Sequence, residues 1–426
     1  MRGRLARAAA DPALVPFRAA IESAAACPRV AIYTGAGASH SWIWFADLLE
    51  RIGIYDVMFA DERVLAEGAL SRVQVLLIGG GDTYEMARGL GEAGAREIES
   101  FVRGGGLYMG SCAGAYLVLS GVDLPPFKPF RLLEGYMLNV MADPPEPRCL
   151  EHKYLAPYGD RWVFHPVYGE VELTRGEGAQ GCRCFDSGAV RSALFGGPVM
   201  EVEADAVLAR YGEPAGRTAY LWDRLEARNF LTGKVAVAGA RLGRGTAVAS
   251  GPHLEHPLFP RSNALSAEVM LRHFGFEAEL AVQGGGRSAV IDAGHTHATG
   301  IASRIKREIS NARIVAFGLE KMPVSWRIGV KVWEPEKIRM FLDCAWNRLT
   351  VLESITDRER FREDLQVLTE GYCRVTSEIK SLKIRVESGE DSRADAQRLL
   401  TRLKELTASF LALNFKLRLE ERSGCH

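Results

Sequence analysis

Net charge, regularly spaced cysteine and long apolar runs are what this sequence of 426 residues has little of. Lys plus Arg and Asp plus Glu both number 53, so no overall field draws the chain to nucleic acid, a membrane surface or an acidic polymer. Its partners are expected to be small molecules or local surfaces. Eight cysteines are scattered along the chain, and only Cys182 and Cys184 lie close together, a spacing used by neither disulfide frameworks nor CxxC zinc sites. Reduced thiols in a cytoplasm are therefore expected. Read as a strand, residues 182–184 send the two thiols to opposite faces, so no metal is expected there, whether or not His152 or His165 is added to the set. No cofactor is expected either. Arg2, Arg4 and Arg7 open an alanine-rich stretch, but Asp11, Arg18 and Glu22 interrupt it, and no run approaches the roughly 18 apolar residues of a membrane helix. No membrane anchor is expected, and no internal repeat is found.

Residues 1–28 read as a helical leader. From Val30 to Thr34 a short apolar strand leads through a Gly- and Ser-bearing turn into helical spacing over Trp42–Ile52. Tyr55–Ala60 and Val73–Ile78 read as further buried strands, and Ala87–Arg103 as a helix. Strands alternating with helices predict an α/β domain with a parallel sheet over 29–276. Short alternating segments at Val199–Val202, Ala206–Tyr211, Val235–Ala238 and Thr246–Ser250 predict an antiparallel extension and a return to the main sheet. A polar, glycine-rich linker is expected over 277–300, with His295 and His297 solvated in it. Beyond it, 301–426 reads as a helical hairpin or bundle whose apolar stripes run through Phe341, Leu365 and Leu403. Residues 388–392, SGEDS, make a turn between two of these helices.

Three segments carry chemistry. In GSCAGAY, residues 110–116, a cysteine flanked by glycines joins an apolar strand to an apolar helix. This is the form of a nucleophile elbow, where Gly110 and Gly114 give room to a strained turn. A free thiol is only a few per cent ionised at neutral pH, so Cys112 needs a base beside it. SGPHLEHP, residues 250–257, supplies His253 with Glu255 two residues on, an imidazole and a carboxylate able to hold its tautomer. His256 competes for the role of base, although Pro257 makes it a turn residue. IGGGDTYEM, residues 78–86, closes a strand with three glycines whose amides can face an oxyanion; Gly80 and Gly81 are the candidates, beside the amide of Ala113. A phosphate role is not favoured, since neither GxxxxGK(S/T) nor GxGxxG occurs in that loop. Trp42 and Trp44 fit a pocket mouth or, more commonly, a core.

Taken in order, IYTGAGAS, LLIGGGDT, GSCAGAY, LFGGPVM and GRGTAVASGPHLE resemble the class I glutamine amidotransferase-like superfamily. Within it they are most similar to the N-terminal domain of eukaryotic-type biotin protein ligases. The resemblance implies a flavodoxin-like sandwich of helices around a parallel sheet, with Cys112 as nucleophile, His253 as general base and Glu255 as its orienting partner. It also implies an oxyanion hole at the glycine loop and the Ala113 amide. It departs at Tyr116, a substrate-facing position where glutaminase members place Gln, so the acyl donor need not be glutamine. No ATP-binding synthetase domain and no biotin-ligase catalytic domain is recognisable.

The expected activity is that of a cysteine-dependent amidohydrolase or amidotransferase-like enzyme acting on a small-molecule or peptide amide through a thioester at Cys112. A synthetase partner, or self-association, would use the C-terminal helices. The rival expectation is a non-catalytic module of the same fold that binds a small ligand and signals through those helices.

Overall fold

The computed structural model describes residues 11–24, 27–122, 124–143, 155–275, 300–353, 355 and 359–423. The chain divides into two compact units, 1–54 with 60–288 and 55–59 with 289–426. The expected 277–300 linker, with His295 and His297, lies outside the described residues except for Gly300; so does His152.

In chain order the strands begin with β1 (Val30–Tyr33), β2 (Val57–Ala60, of which 57–59 belong to the second unit), β3 (Val75–Ile78), β4 (Leu107–Ser111), β5 (Tyr136–Met137), β6 (Val140–Met141), β7 (Leu155–Tyr158) and β8 (Arg161–Phe164). They continue with β9 (Val167–Arg175), β10 (Val190–Leu194), β11 (Met200–Glu201), β12 (Val207–Tyr220), β13 (Val235–Leu242) and β14 (Gly245–Ser250). The main sheet runs β10-β9-β12-β13-β14-β4-β3-β1. From β14 through β4 and β3 to β1 the pairing is parallel. Every residue of β1, β3 and β4 is buried, which is why these segments are almost wholly apolar, as strands covered on both faces are, with Ser111 at the end of β4 the exception. At the other edge of the sheet, β14 turns back antiparallel into β13, β12, β9 and β10. The parallel sheet is thus one half of a mixed sheet whose other half is the expected antiparallel extension, and β14 is the returning strand. β6, β8 and β7 form a separate small sheet.

The helices of the first unit are α1 (Val15–Ser23), α2 (Trp42–Ile52), α3 (Glu62–Ala66), α4 (Thr83–Arg103), α5 (Ala113–Val118), α6 (Arg224–Leu231) and α7 (Pro260–His273). α1 buries Phe17 and Ile21 and packs against α2 and α7, so the described part of the leader is a layer of this unit. Asp82 starts α4 by accepting from the Tyr84 and Glu85 amides, satisfying donors that a helix start leaves open. One local expectation is corrected. Residues 183–185 form a 3-10 turn instead of a strand, so the Cys182 and Cys184 thiols converge, and Glu268 of α7 meets them.

In the second unit, α8 (Gly300–Leu319), α9 (Pro335–Trp346), α10 (Leu349–Glu353), α11 (Arg362–Glu387) and α12 (Arg393–Ser423) pack together. The turn between α11 and α12 falls on 388–392, where Gly389 takes a φ of 75°. A hairpin of β15 (Trp326–Ile328) and β16 (Lys331–Trp333) interrupts the helices. Among the described residues no helix is long and apolar enough to cross a membrane.

Candidate active site

β4 ends at Ser111 and the chain reverses at Cys112, with φ 51° and ψ −107°. Among the described residues Cys112 is the one non-glycine with positive φ, a backbone state that persists only when its surroundings hold it. They do so on three sides. The Cys112 amide donates to the Ser250 carbonyl at 2.9 Å, tying the elbow to the end of β14. A Cβ on Gly110 would lie 2.4 Å from the Gly114 carbonyl oxygen, and one on Gly114 would lie 2.3 Å from that of Ile78. Both glycines are therefore required by close backbone approach.

Just past β14, the His253 amide donates to the Ala193 carbonyl of β10 at 2.7 Å, which sets the ring beside the elbow. Its Nδ1 lies 2.7 Å from Oε1 of Glu255, and Ser111 Oγ donates to the same oxygen at 2.7 Å. His253 and Glu255 are 3% and 1% exposed, so their charges interact with little screening. Burial alone would lower the imidazole pKa; the Glu255 carboxylate and a hydrogen bond with Cys112 outweigh it and raise it to about 10. His256 is placed differently. It packs on Trp44, Phe195 and Phe259, and its Nδ1 accepts from the Leu258 amide.

The glycine loop lies against this pair. A Cβ on Gly80 would stand 2.8 Å from Cε1 of His253 and 3.3 Å from Cβ of Cys112. The Gly80 amide, expected to face an oxyanion, instead donates to Ser41 Oγ at 2.7 Å. Gly80 thus provides space, with its N–H already engaged. Among the described residues neither the Gly81 nor the Ala113 N–H has an acceptor.

Tyr116, one turn along α5, accepts a hydrogen bond from Asn139 Nδ2 at 2.8 Å and lies 3.4 Å from His165 Nε2. Burial pushes the Tyr116 hydroxyl up and the His165 imidazole down to about 3, so both are neutral. Trp44 stands edge-to-face to His253 at 5.2 Å, which puts it at the site while α2 still buries it. Sequence reasoning missed Ser41, Ser111, Asn139, His165 and Phe195 as neighbours of the site. A polar residue ending an apolar strand was a usable signal for Ser111. Asn139 lies between the two-residue strands β5 and β6, and His165 in the turn between β8 and β9, where no periodicity marks them.

The family described as biotin-protein ligase, N terminal, matches residues 28–124. That span includes Gly80, Gly81, Cys112, Ala113 and Tyr116 and stops before His253 and Glu255. No curated protein matches the sequence. Among solved structures, a glutamine amidotransferase is 19% identical over 58% of this chain and 98% of its own, with a TM-score of 0.36. A β-galactosidase from Bacillus circulans sp. alkalophilus is 14% identical over 59% of this chain and 32% of its own, with a TM-score of 0.32. Another from Rahnella sp. R3 is 15% identical with the same coverages and a TM-score of 0.34. The resemblance read from the sequence to the N-terminal domain of biotin protein ligases is met over residues 28–124.

Proposed function

We propose that the chain is a cysteine-dependent amidohydrolase or amidotransferase-like enzyme that forms a thioester at Cys112 with a carboxamide substrate. One observation carries this reading: the strained Cys112 elbow is packed beside an imidazole whose far nitrogen is held by a buried carboxylate. A purely structural cysteine needs neither the strain nor the pair. In the proposed reaction the proton of the Cys112–His253 pair rests on His253, whose pKa is raised to about 10, and the sulfur adds to the carbonyl carbon. The Gly81 and Ala113 amides receive the oxyanion. The tetrahedral adduct then collapses as the protonated His253 gives its proton to the leaving nitrogen, which departs as ammonia or an amine. Water, deprotonated by the now neutral His253, adds to the thioester and releases the acid and the thiol. Glu255 holds the imidazole throughout, and its positive charge whenever the ring is protonated. If the ammonia is used elsewhere, a synthetase partner receives it, and the helices of 301–426 offer a surface for docking or self-association. A reducing cytoplasm would keep the thiol competent.

The test is the rate of iodoacetamide alkylation at Cys112, read by mass spectrometry, in the parent and in His253→Ala. At neutral pH Cys112 is expected to react at least about 10-fold faster than half-buried Cys373, and His253→Ala to remove that advantage. Equal rates in parent and variant would instead favour the ligand-binding module.

A further inference from the structure

On the antiparallel side of the sheet, away from the elbow, the segment between β9 and β10 folds around one side chain of α7. The Glu268 carboxylate accepts from the Arg183 amide at 2.9 Å through Oε1 and from the Cys184 amide at 3.1 Å through Oε2. The Cys182 thiol donates to that same Oε2 at 3.2 Å. The donor atoms of Cys182, Cys184 and Glu268 all lie within 4.8 Å of one another. Cys182 and Glu268 are buried, Cys184 is half-buried, and both cysteines are free thiols.

The loop is held before any ligand arrives. Arg175 donates to the Cys182 carbonyl and to Asp186, Arg261 to the Cys184 and Gly188 carbonyls, and Arg272 to the Gln180 carbonyl. The carboxylate anchors this loop to α7 through the Arg183 and Cys184 amides, and the Cys182 thiol adds only a weak donor to that task. What two sulfurs and a carboxylate do suit is a borderline-soft cation, since thiolates select Zn²⁺-like ions over Mg²⁺ or Ca²⁺. In a tetrahedral Zn²⁺ shell, donors stand about 3.5–3.8 Å apart, inside the 4.8 Å within which the three donor atoms already lie.

We propose that Cys182, Cys184 and Glu268 form a binding site for a thiophilic divalent cation of the Zn²⁺ type, with the fourth position open on the half-buried Cys184 side. Binding releases the two thiol protons to solvent, and two thiolates, one carboxylate and the cation leave a net charge of −1, met by the arginines that hold the loop, Arg175 of β9 and Arg261 and Arg272 of α7. The consequence reaches the candidate active site. β10 holds the His253 amide through Ala193, and α7 holds the Leu254 and His256 carbonyls through Asn263. A cation joining the β10 approach to α7 would clamp the two elements that grip residues 253–256.

The experiment titrates the reduced, chelator-treated full chain with Cd²⁺, following the thiolate-to-cadmium charge-transfer band, and with Zn²⁺ against a chromogenic chelator. One tight equivalent is expected, lost in Cys184→Ser and weakened at least about 10-fold in Glu268→Gln, with Cys373→Ser unchanged. Zn²⁺ should raise the Tm of the parent and leave that of Cys184→Ser where it is. Circular dichroism confirms that each variant is folded, and the near-isosteric Cys184→Ser suffices should Glu268→Gln release the loop. The proposal is overturned if the folded parent binds no equivalent, or if the band and the Tm rise persist in Cys184→Ser.

Discussion

Ser111 and His253 meet on a single atom, Oε1 of Glu255, each at 2.7 Å. The residue before Cys112 and the imidazole of His253 are thereby tied to one carboxylate oxygen. A hydrogen bond to a charged group is worth about 1.5–3 kcal/mol. Ser111→Ala is accordingly expected to lower unfolding stability by about that much, read from urea denaturation. It should also slow Cys112 alkylation by roughly 10-fold, because the carboxylate that orients His253 loses one of its two restraints. Unchanged values on both measures would remove Ser111 from any positioning role.

Gly80→Ala separates space from fold. The added methyl meets the His253 ring at 2.8 Å, and a ring in a packed site yields by rotating away. Alkylation of Cys112 in this variant should fall to the rate of His253→Ala with the chain still folded. Gly114→Ala, whose methyl meets the Ile78 backbone carbonyl at 2.3 Å, has no side chain to displace. It is expected to destabilise the unit by several kcal/mol, on the order of other overpacking changes. Gly216→Ala, with nothing near its added methyl, is the neutral control. A parental alkylation rate in Gly80→Ala would show that the two groups do not share that space.

The buried parallel strands were legible because burial on both faces leaves a continuous apolar run, as in VLLI of β3, and the elbow because Gly110 and Gly114 flank a cysteine. Backbone commitments were not legible: nothing in IGGGDT says that the Gly80 amide is taken by Ser41, a residue 39 positions earlier. The Cys182–Cys184 segment was misread because alternation was assumed where the chain coils into a 3-10 turn. β15 and β16 were missed within helical surroundings, although Trp326–Ile328 and Lys331–Trp333 flank a two-residue turn whose Gly329 has φ 62°, a hairpin signal in its own right.

His253 makes stability depend on pH with a definite sign. Its pKa is raised from 6.5 to about 10, the cost of burial being exceeded by Glu255 and the Cys112 hydrogen bond. A raised folded-state pKa means that the imidazolium contributes its full stabilisation below about 6.5 and loses it as pH rises through about 10. The Tm of the parent should therefore fall more steeply across that window than the Tm of His253→Gln, which has no proton to lose there. Parallel Tm curves for the two proteins would contradict a charged His253.

Tyr116 and His165 should behave in the opposite way. Asn139 donates to the Tyr116 hydroxyl at 2.8 Å, which leaves the hydroxyl proton for His165 Nε2 at 3.4 Å. Burial lowers His165 to about 3, so its imidazole stays neutral across the range in which an ordinary histidine titrates, about pH 5 to 8. Its ring resonances in an NMR titration are expected to stay flat there; a midpoint near 6.5 would mean that water reaches the ring. Tyr116→Phe removes the acceptor for a buried amide and should cost about 1–3 kcal/mol of stability. The Cys112–His253 pair is untouched by that change, so alkylation by the small iodoacetamide should keep its parental rate while turnover of any amide that rests on α5 declines. If the alkylation rate falls as well, Tyr116 acts on the thiol itself and its place is beside the nucleophile instead of the substrate.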